Sequence, residues 1–142
     1  MDSLKQAVLG IFVFKKEVFV IKRQAYLSDF PGYTSFPGGK IEQSDLDNQS
    51  IHPLFECFKS KDKGVVSALC RELKEELRID LISLFEKKYI RDIFYLGFSK
   101  SPESFKSRFL ISYIVIDLKH KIDFELNVDE IKSGQWLSFD VL

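Results

Sequence analysis

The chain has 142 residues, the size of a single domain (1–142) with enough apolar content for one buried core. Lysine plus arginine balance aspartate plus glutamate at 21 each, so no basic excess advertises a nucleic-acid footprint, and a nonspecific polyanion binder is disfavoured. Two cysteines, Cys57 and Cys70, make no disulfide framework and point to a reducing, cytoplasmic setting; no targeting or membrane segment stands out.

In chain order, the first apolar run, Ala7 to Phe14, is too short to cross a bilayer and is followed by Lys15-Lys16-Glu17. With Val18 to Ile21 it predicts a β-hairpin over about Ala7 to Arg23, with Gly10 marking a bulge. The stretch 46–63 carries Ile51, Pro53, Leu54, Phe55 and Phe58 among polar residues. A surface excursion is the favoured reading of it, a cover over a substrate the other. A helix is expected from about Gly64 to Leu77. Aromatic and β-branched residues predict strands around Thr34–Phe36, Tyr89–Phe98, Arg108–Leu118 and Gln135–Phe139. The coarse result is a mixed sheet with a packed helix.

That helix carries the chemistry. At about 100° per residue, Val66, Leu69, Leu73 and Leu77 make an apolar stripe roughly 80° wide, and Glu76, Glu72 and Glu75 form one acidic arc beside it. Carboxylates so close repel one another and raise each other's pKa unless a cation sits among them. Oxygen ligands suit a hard ion, Mg²⁺ or Mn²⁺. His52 and His120 are far apart and the cysteines lack paired ligand spacing, which disfavours zinc. A solvated helix face is the bland alternative. Against it, Glu76 sits at the edge of the stripe, where a purely structural helix would carry an apolar or small residue.

Together with the upstream turn Phe36-Pro37-Gly38-Gly39-Lys40, these residues resemble the box of the Nudix hydrolase family, G-x5-E-x7-R-E-U-x-E-E-x-G-U, with U a bulky aliphatic residue. Gly39 fits the opening glycine, Asp45 stands where the first glutamate belongs, Arg71-Glu72-Leu73 fits R-E-U, Glu75-Glu76 fits the metal pair and Ile79 fits the last U. Arg78 departs from the glycine that follows the helix, and 25 residues rather than seven separate Asp45 from Arg71, which makes 46–63 an insertion inside the box. Upstream, Lys22-Arg23-Gln24 and Gly32 to Gly39 look like the signature K-R-[SA]-x3-R-x3-G-x3-F-P-G-G of the coenzyme A pyrophosphatase subgroup, with Gln24 for the small residue and Ser28 for the second arginine.

The resemblance implies an α/β fold, a Nudix-like α/β/α sandwich with a mixed β-sheet. Trp136 to Asp140 resembles the late strand that leads into a closing helix, so that helix is either dispensable here or replaced by a partner or further segment. The implied activity is a divalent-metal-dependent pyrophosphohydrolase that splits a phosphoanhydride in a nucleoside diphosphate linked to another moiety: coenzyme A-type, a nucleotide sugar or ADP-ribose-like. Glu72, Glu75, Glu76 and the Gly39 carbonyl are the expected ligands of Mg²⁺ or Mn²⁺. Arg71, four residues before Glu75, is expected to orient that carboxylate by an ion pair. Lys22, Arg23 and Phe36 are assigned to the substrate, with Phe30, Tyr33 or Phe109 as stacking partners for a base. The general base comes either from the box, at Glu75, or from a later loop, where Glu130 is preferred to Glu125 and Asp129. The expected partner is a nucleotide-derived small molecule, with no nucleic acid and no membrane; a homodimer is compatible. A non-catalytic Nudix-like module for nucleotide sensing or protein interaction, and a hydrolase of modified nucleoside triphosphates, are the rival readings. Retention of all three glutamates opposes the first, because a binding module has no reason to keep their mutual repulsion.

Overall fold

The structure, a computed structural model, describes residues 5–27, 31–47, 63–101 and 108–141. Strands β1 (Lys5–Phe14) and β2 (Glu17–Arg23) form the expected hairpin, turning at Lys15-Lys16. They pair with each other only beside the turn, Val13 with Val18 and Phe14 with Glu17, and then part. The chain from 34 to 40 enters the gap. Within it β3 (Thr34–Ser35) pairs with Ile21 and Lys22 of β2, while β4 (Gly38–Lys40) pairs with Ala7 to Leu9 of β1. Gly10 N–H donates to Pro37 O at 2.7 Å and closes the wedge between the two short strands.

The rest of the seven-stranded sheet grows from the two hairpin strands. β6 (Phe109–Leu118) lies parallel to β1 from Lys5 opposite Phe109 to Val13 opposite Asp117. β5 (Ile90–Lys100) is antiparallel to β6, and β7 (Ile131–Ser138) is antiparallel to β2, ending in a 3₁₀ turn at Phe139–Val141. One parallel pair among antiparallel ones makes the sheet mixed, as the sequence suggested.

Helices α1 (Gln43–Asp47), α2 (Lys63–Leu77) and α3 (Leu81–Glu86) gather on one face. Strand alternation turns Val8, Gly10 and Phe12 of β1 and Ile114 and Ile116 of β6 toward α2, where they meet Val66, Leu69, Leu73 and Leu77 in the core. Gly10 is not a bulge. The β1/β6 register runs through it unbroken, and a Cβ there would stand 3.1 Å from Leu69 Cδ1, so glycine provides clearance for the helix. On the opposite face Leu9, Ile11, Tyr113 and Val115 are half-buried, and among the described residues no helix covers them. The observed α/β layering therefore has one helical layer among those residues.

Three elements escape the sequence pattern: β4, which is mostly glycine, and the short helices α1 and α3. Asp80 caps α3 by accepting from Ser83 N–H at 3.1 Å. The 46–63 insertion lies almost wholly outside the described residues, as do Phe30, Ser28, His52 and Cys57. After β6 the chain runs along the α2 side, where Phe124 packs on Phe12 at 4.9 Å and Phe19 at 4.5 Å between ring centroids. Asn127 N–H then donates to Glu76 O at 2.8 Å, which brings the segment before β7 to the end of α2.

Candidate active site

The last two turns of α2 lie over the wedge. Glu72 presses its carboxylate against β4 so closely that a Cβ on Gly39 would fall 2.5 Å from Glu72 Cδ and displace that carboxylate. One turn on, Glu76 is fully buried at 0% exposure. Its Oε1 accepts from Gly38 N–H at 2.7 Å, and its buried Oε2 has no hydrogen-bond partner. The nearest cation in an ion pair with it is Arg23, with Nη1 3.9 Å from Oε2, a loose approach. Burial pushes the Glu76 acid up to about 8, with the charges of Glu72 and Glu130 adding to it and the Gly38 N–H and Arg23 opposing. Glu72 rises to about 7, again chiefly by burial, with Glu75 and Glu130 adding and Arg71 opposing.

The principal partner of Arg71 is Asp45 and not Glu75, the one its helical spacing suggests. Nε and Nη2 grip Asp45 Oδ1 and Oδ2 at 3.0 and 2.9 Å, a bidentate pair across 26 residues of sequence. Nη2 also donates to Lys40 O at 2.9 Å, and Nη1 to Glu72 Oε1 at 2.9 Å, whereas Glu75 Oε1 stands at 3.5 Å. The hydrogen bonds to Asp45 raise the Arg71 pKa well above its ordinary value. Asp45, also buried, is driven up by that burial but ends below the usual carboxylate range because the Arg71 hydrogen bond, the Glu42 N–H and the arginine charge outweigh it. A short helix, a strand and the long helix are thereby tied at one guanidinium.

These groups open onto a cavity of about 510 Å³. Glu72, Glu75, Glu76, Arg71 and Gly39 line it together with Arg23, Phe36 and Glu130, so most of the residues singled out in the sequence meet there. Lys22 does not. Period-two alternation along β2 sends Ile21 into the core and Arg23 toward Glu76, which leaves Lys22 exposed on the other face. Of the three acids proposed before β7, Glu130 lines the cavity, while Glu125 and Asp129 are exposed outside it. Tyr33 and Phe109 are also part of the lining, and Tyr113, Leu27 and Lys40 join them without having been singled out. Tyr113 reaches the cavity from β6 through the parallel pairing with β1, a tertiary relation with no local sequence signal. Cys70 packs against the core with its thiol pushed up to about 12 by burial and the charge of Asp80, as befits an inert residue.

As the side chains stand, no three acidic, histidine or cysteine residues among the described ones are close enough together to hold one ion. Arg71 bridges Glu72 and Glu75, and Gly38 donates to one oxygen of Glu76. The donor set still fits a hard divalent cation. Three carboxylates and the backbone of β4 supply only oxygen, and the unpartnered, buried Glu76 Oε2 is the atom a cation would satisfy.

A family model described as the NUDIX domain matches residues 4–142, and the chain belongs to that family. No curated protein matches the sequence. Among solved structures it is similar to the NUDIX hydrolase of Alicyclobacillus acidocaldarius, with a TM-score of 0.71 at 16% identity over 97% of this chain and 80% of that one. The MutT protein of Methanosarcina mazei gives 0.64 at 18% identity, covering 99% and 80%. The NUDIX domain of Shewanella oneidensis NrtR, solved in complex with ADP ribose, gives 0.65 at 11% identity, covering 99% and 77%. At such identities the likeness establishes the fold. Among the described residues no helix is long and apolar enough to cross a membrane.

Proposed function

We propose that this protein is a divalent-metal-dependent pyrophosphohydrolase that splits the phosphoanhydride of a nucleoside diphosphate linked to a second group. The observation that carries the reading is the buried Glu76 carboxylate with one oxygen unpartnered, set beside Glu72 and Glu75 at the floor of a cavity. Ionising that acid where it lies carries a large penalty unless a counter-charge arrives with the substrate. Glu72, Glu75, Glu76 and the Gly39 carbonyl would hold Mg²⁺ or Mn²⁺, which when bound neutralises charge building on the bridging phosphates.

The remaining work falls to the chain. Arg71 fixes Glu72 and Glu75 relative to β4, so that their orientation does not have to be found anew in each turnover. Arg23, in the cavity lining with Nη1 3.9 Å from Glu76 Oε2, would meet a phosphate oxygen of the substrate. Phe36, with Tyr33 and Tyr113, offers aromatic surface to the organic part of the substrate. Glu130, in the lining and near enough to raise the acids of Glu72 and Glu76, would accept the proton of the attacking water. The bound ADP ribose of the NrtR domain supports a substrate of the nucleoside diphosphate type, and the partial coenzyme A signature at Lys22-Arg23 and Gly32 to Gly39 keeps coenzyme A within that class. The half-buried, inert Cys70 suits a cytoplasmic enzyme.

The test is a panel of coenzyme A, ADP-ribose, nucleotide sugars, dinucleoside polyphosphates and nucleoside triphosphates, assayed with Mg²⁺ and with Mn²⁺ and with the products identified. Cleavage at the phosphoanhydride of a diphosphate-linked compound is the expected result. Exclusive cleavage of nucleoside triphosphates would move the protein to the rival hydrolase class, and no turnover with either metal would overturn the enzymatic reading.

A further inference from the structure

Glu130 sits in a short turn between the coil that packs on α2 and the first residue of β7, a place where an acid would ordinarily wander in solvent. Here the turn is held from two sides. Asn127 ties it to the end of α2 by donating its N–H to Glu76 O at 2.8 Å, and its own carbonyl accepts from Glu130 N–H at 3.2 Å and Ile131 N–H at 2.9 Å. From the other side, four consecutive carbonyls accept from just two residues after β2. Gln24 Nε2 donates to Val128 O at 2.8 Å and to Ile131 O at 3.4 Å, Gln24 N–H donates to Glu130 O at 2.9 Å, and the Tyr26 hydroxyl donates to Asp129 O.

We infer that Gln24 is a positioning residue that fixes the Glu130 carboxylate against the metal-binding glutamates, with Tyr26 as its second clamp. The inference rests on the reading of Glu130 as proton acceptor. Two features favour it over simple closure of the fold. The β2/β7 ladder already joins these segments from Glu17 opposite Ser138 to Arg23 opposite Ile131, so the side-chain bonds of Gln24 and Tyr26 are additional to it. The bonds to Val128 and Asp129 are solvent-exposed, where water would serve those carbonyls nearly as well, so they add little stability and much definition. Gln24 is also where the chain departs from the small residue of the coenzyme A signature. Serine or alanine there would be too short to reach these carbonyls. The departure thus coincides with the clamp.

A double-mutant cycle on the panel substrate turned over fastest tests this. Gln24→Met, which keeps the length and removes the donor, should lower kcat by about 10-fold with KM and Mn²⁺ affinity unchanged. In a Glu130→Gln background the same substitution should change kcat by less than about twofold, since there is no longer a base to aim. Tyr26→Phe, at a residue 71% exposed and safe to alter, should give a smaller loss that also vanishes in that background. Losses that multiply with Glu130→Gln, or unchanged kcat in both Gln24→Met and Tyr26→Phe, would overturn the inference while leaving Glu130 as base. A neutral Glu130→Gln, or no turnover of any panel member, would overturn the underlying reading and the inference with it. Should Gln24→Met fail to fold, the Tyr26→Phe pair decides alone.

Discussion

Two clusters of charge lie within one turn of each other on α2 and differ in kind. Around Arg71 the carboxylates have partners: Asp45 takes two bonds, Glu72 one, Glu75 a longer one, and a backbone carbonyl completes the set. Around Glu76 the partners fall short, with one oxygen satisfied by Gly38 and the other buried without a hydrogen bond. The first cluster is a finished piece of structure that happens to be charged. The second is an unmet electrostatic demand, and unmet demands in a cavity are where ligands bind. Each can be perturbed separately, and they should fail in opposite ways.

The largest contrast should come from Glu76→Gln. Turnover should drop by at least about 10²-fold through lost charge stabilisation, yet the metal-free protein should be no less stable, because an awkward buried acid has been replaced by a neutral amide. Measuring kcat with saturating Mg²⁺ and the melting temperature in EDTA checks both halves. Near-normal turnover would remove Glu76 from the chemistry. A large loss of stability would mean that its buried charge is already compensated, which erases the contrast.

Arg71→Met is the reverse experiment. It leaves Asp45 buried, 4% exposed, without its counter-charge, and removing one partner of such a pair typically destabilises by about 3 kcal/mol or more. Urea unfolding should show that loss with metal absent. Adding Asp45→Asn to Arg71→Met should recover part of it, and a double variant as unstable as the single one would show that the Asp45 bond is not what holds the cluster.

Acidity separates the clusters further. With Glu76 raised to about 8 and Glu72 to about 7, the folded metal-free protein keeps protons that the unfolded chain gives up above 4.5. The native state then binds more protons than the unfolded one throughout that window, so stability must fall as pH rises from about 5 to 8. Asp45, held below the ordinary carboxylate range, acts with the opposite sign, and its contribution is lost only on acidification beneath that window. We expect the urea midpoint in EDTA to drop between about pH 5.5 and 8.5, and Mg²⁺ to narrow the drop by favouring the ionised form. A midpoint flat across this range would mean that neither glutamate is perturbed by its burial.

How much of this could be read from the chain depends on whether the relation is local. The stripe from Val66 to Leu77 and the position of Glu76 at its edge follow from helical period alone, and both are as read. Arg23 is not separable from Lys22 by strand alternation, because Val20 and Ile21, each two residues before one of them, are both apolar and both buried; only the packing of β2 against α2 tells them apart. The Arg71–Asp45 pair was hidden because its partners are 26 residues apart and meet only when α1 packs on α2. β4 was hidden because Gly38 and Gly39 have low strand propensity and gain their pairing from β1. Gln24 looked like a blemish in a motif, and only the turn it clamps gives it meaning.

The smallest predicted effect serves as a control on both clusters. Arg78, in place of the family's glycine, ends α2 with φ at 55°, in the left-handed region, where its N–H donates to Lys74 O at 3.2 Å and Ile79 N–H to Leu73 O at 3.3 Å. A side chain with a Cβ is strained in that conformation and glycine is not. Arg78→Gly should therefore stabilise by up to about 1 kcal/mol, seen as a higher urea midpoint with or without metal. Because Arg78 lies beyond the cavity lining, kcat and the pH slope of stability should stay as they are. That separation is informative in itself: a backbone gain that leaves turnover untouched shows that α2 can be made more stable without altering Glu76. A fall in kcat would instead show that the strained helix end helps to set the Glu76 carboxylate two residues earlier, and loss of stability would show that the Arg78 side chain contributes more than its left-handed backbone costs.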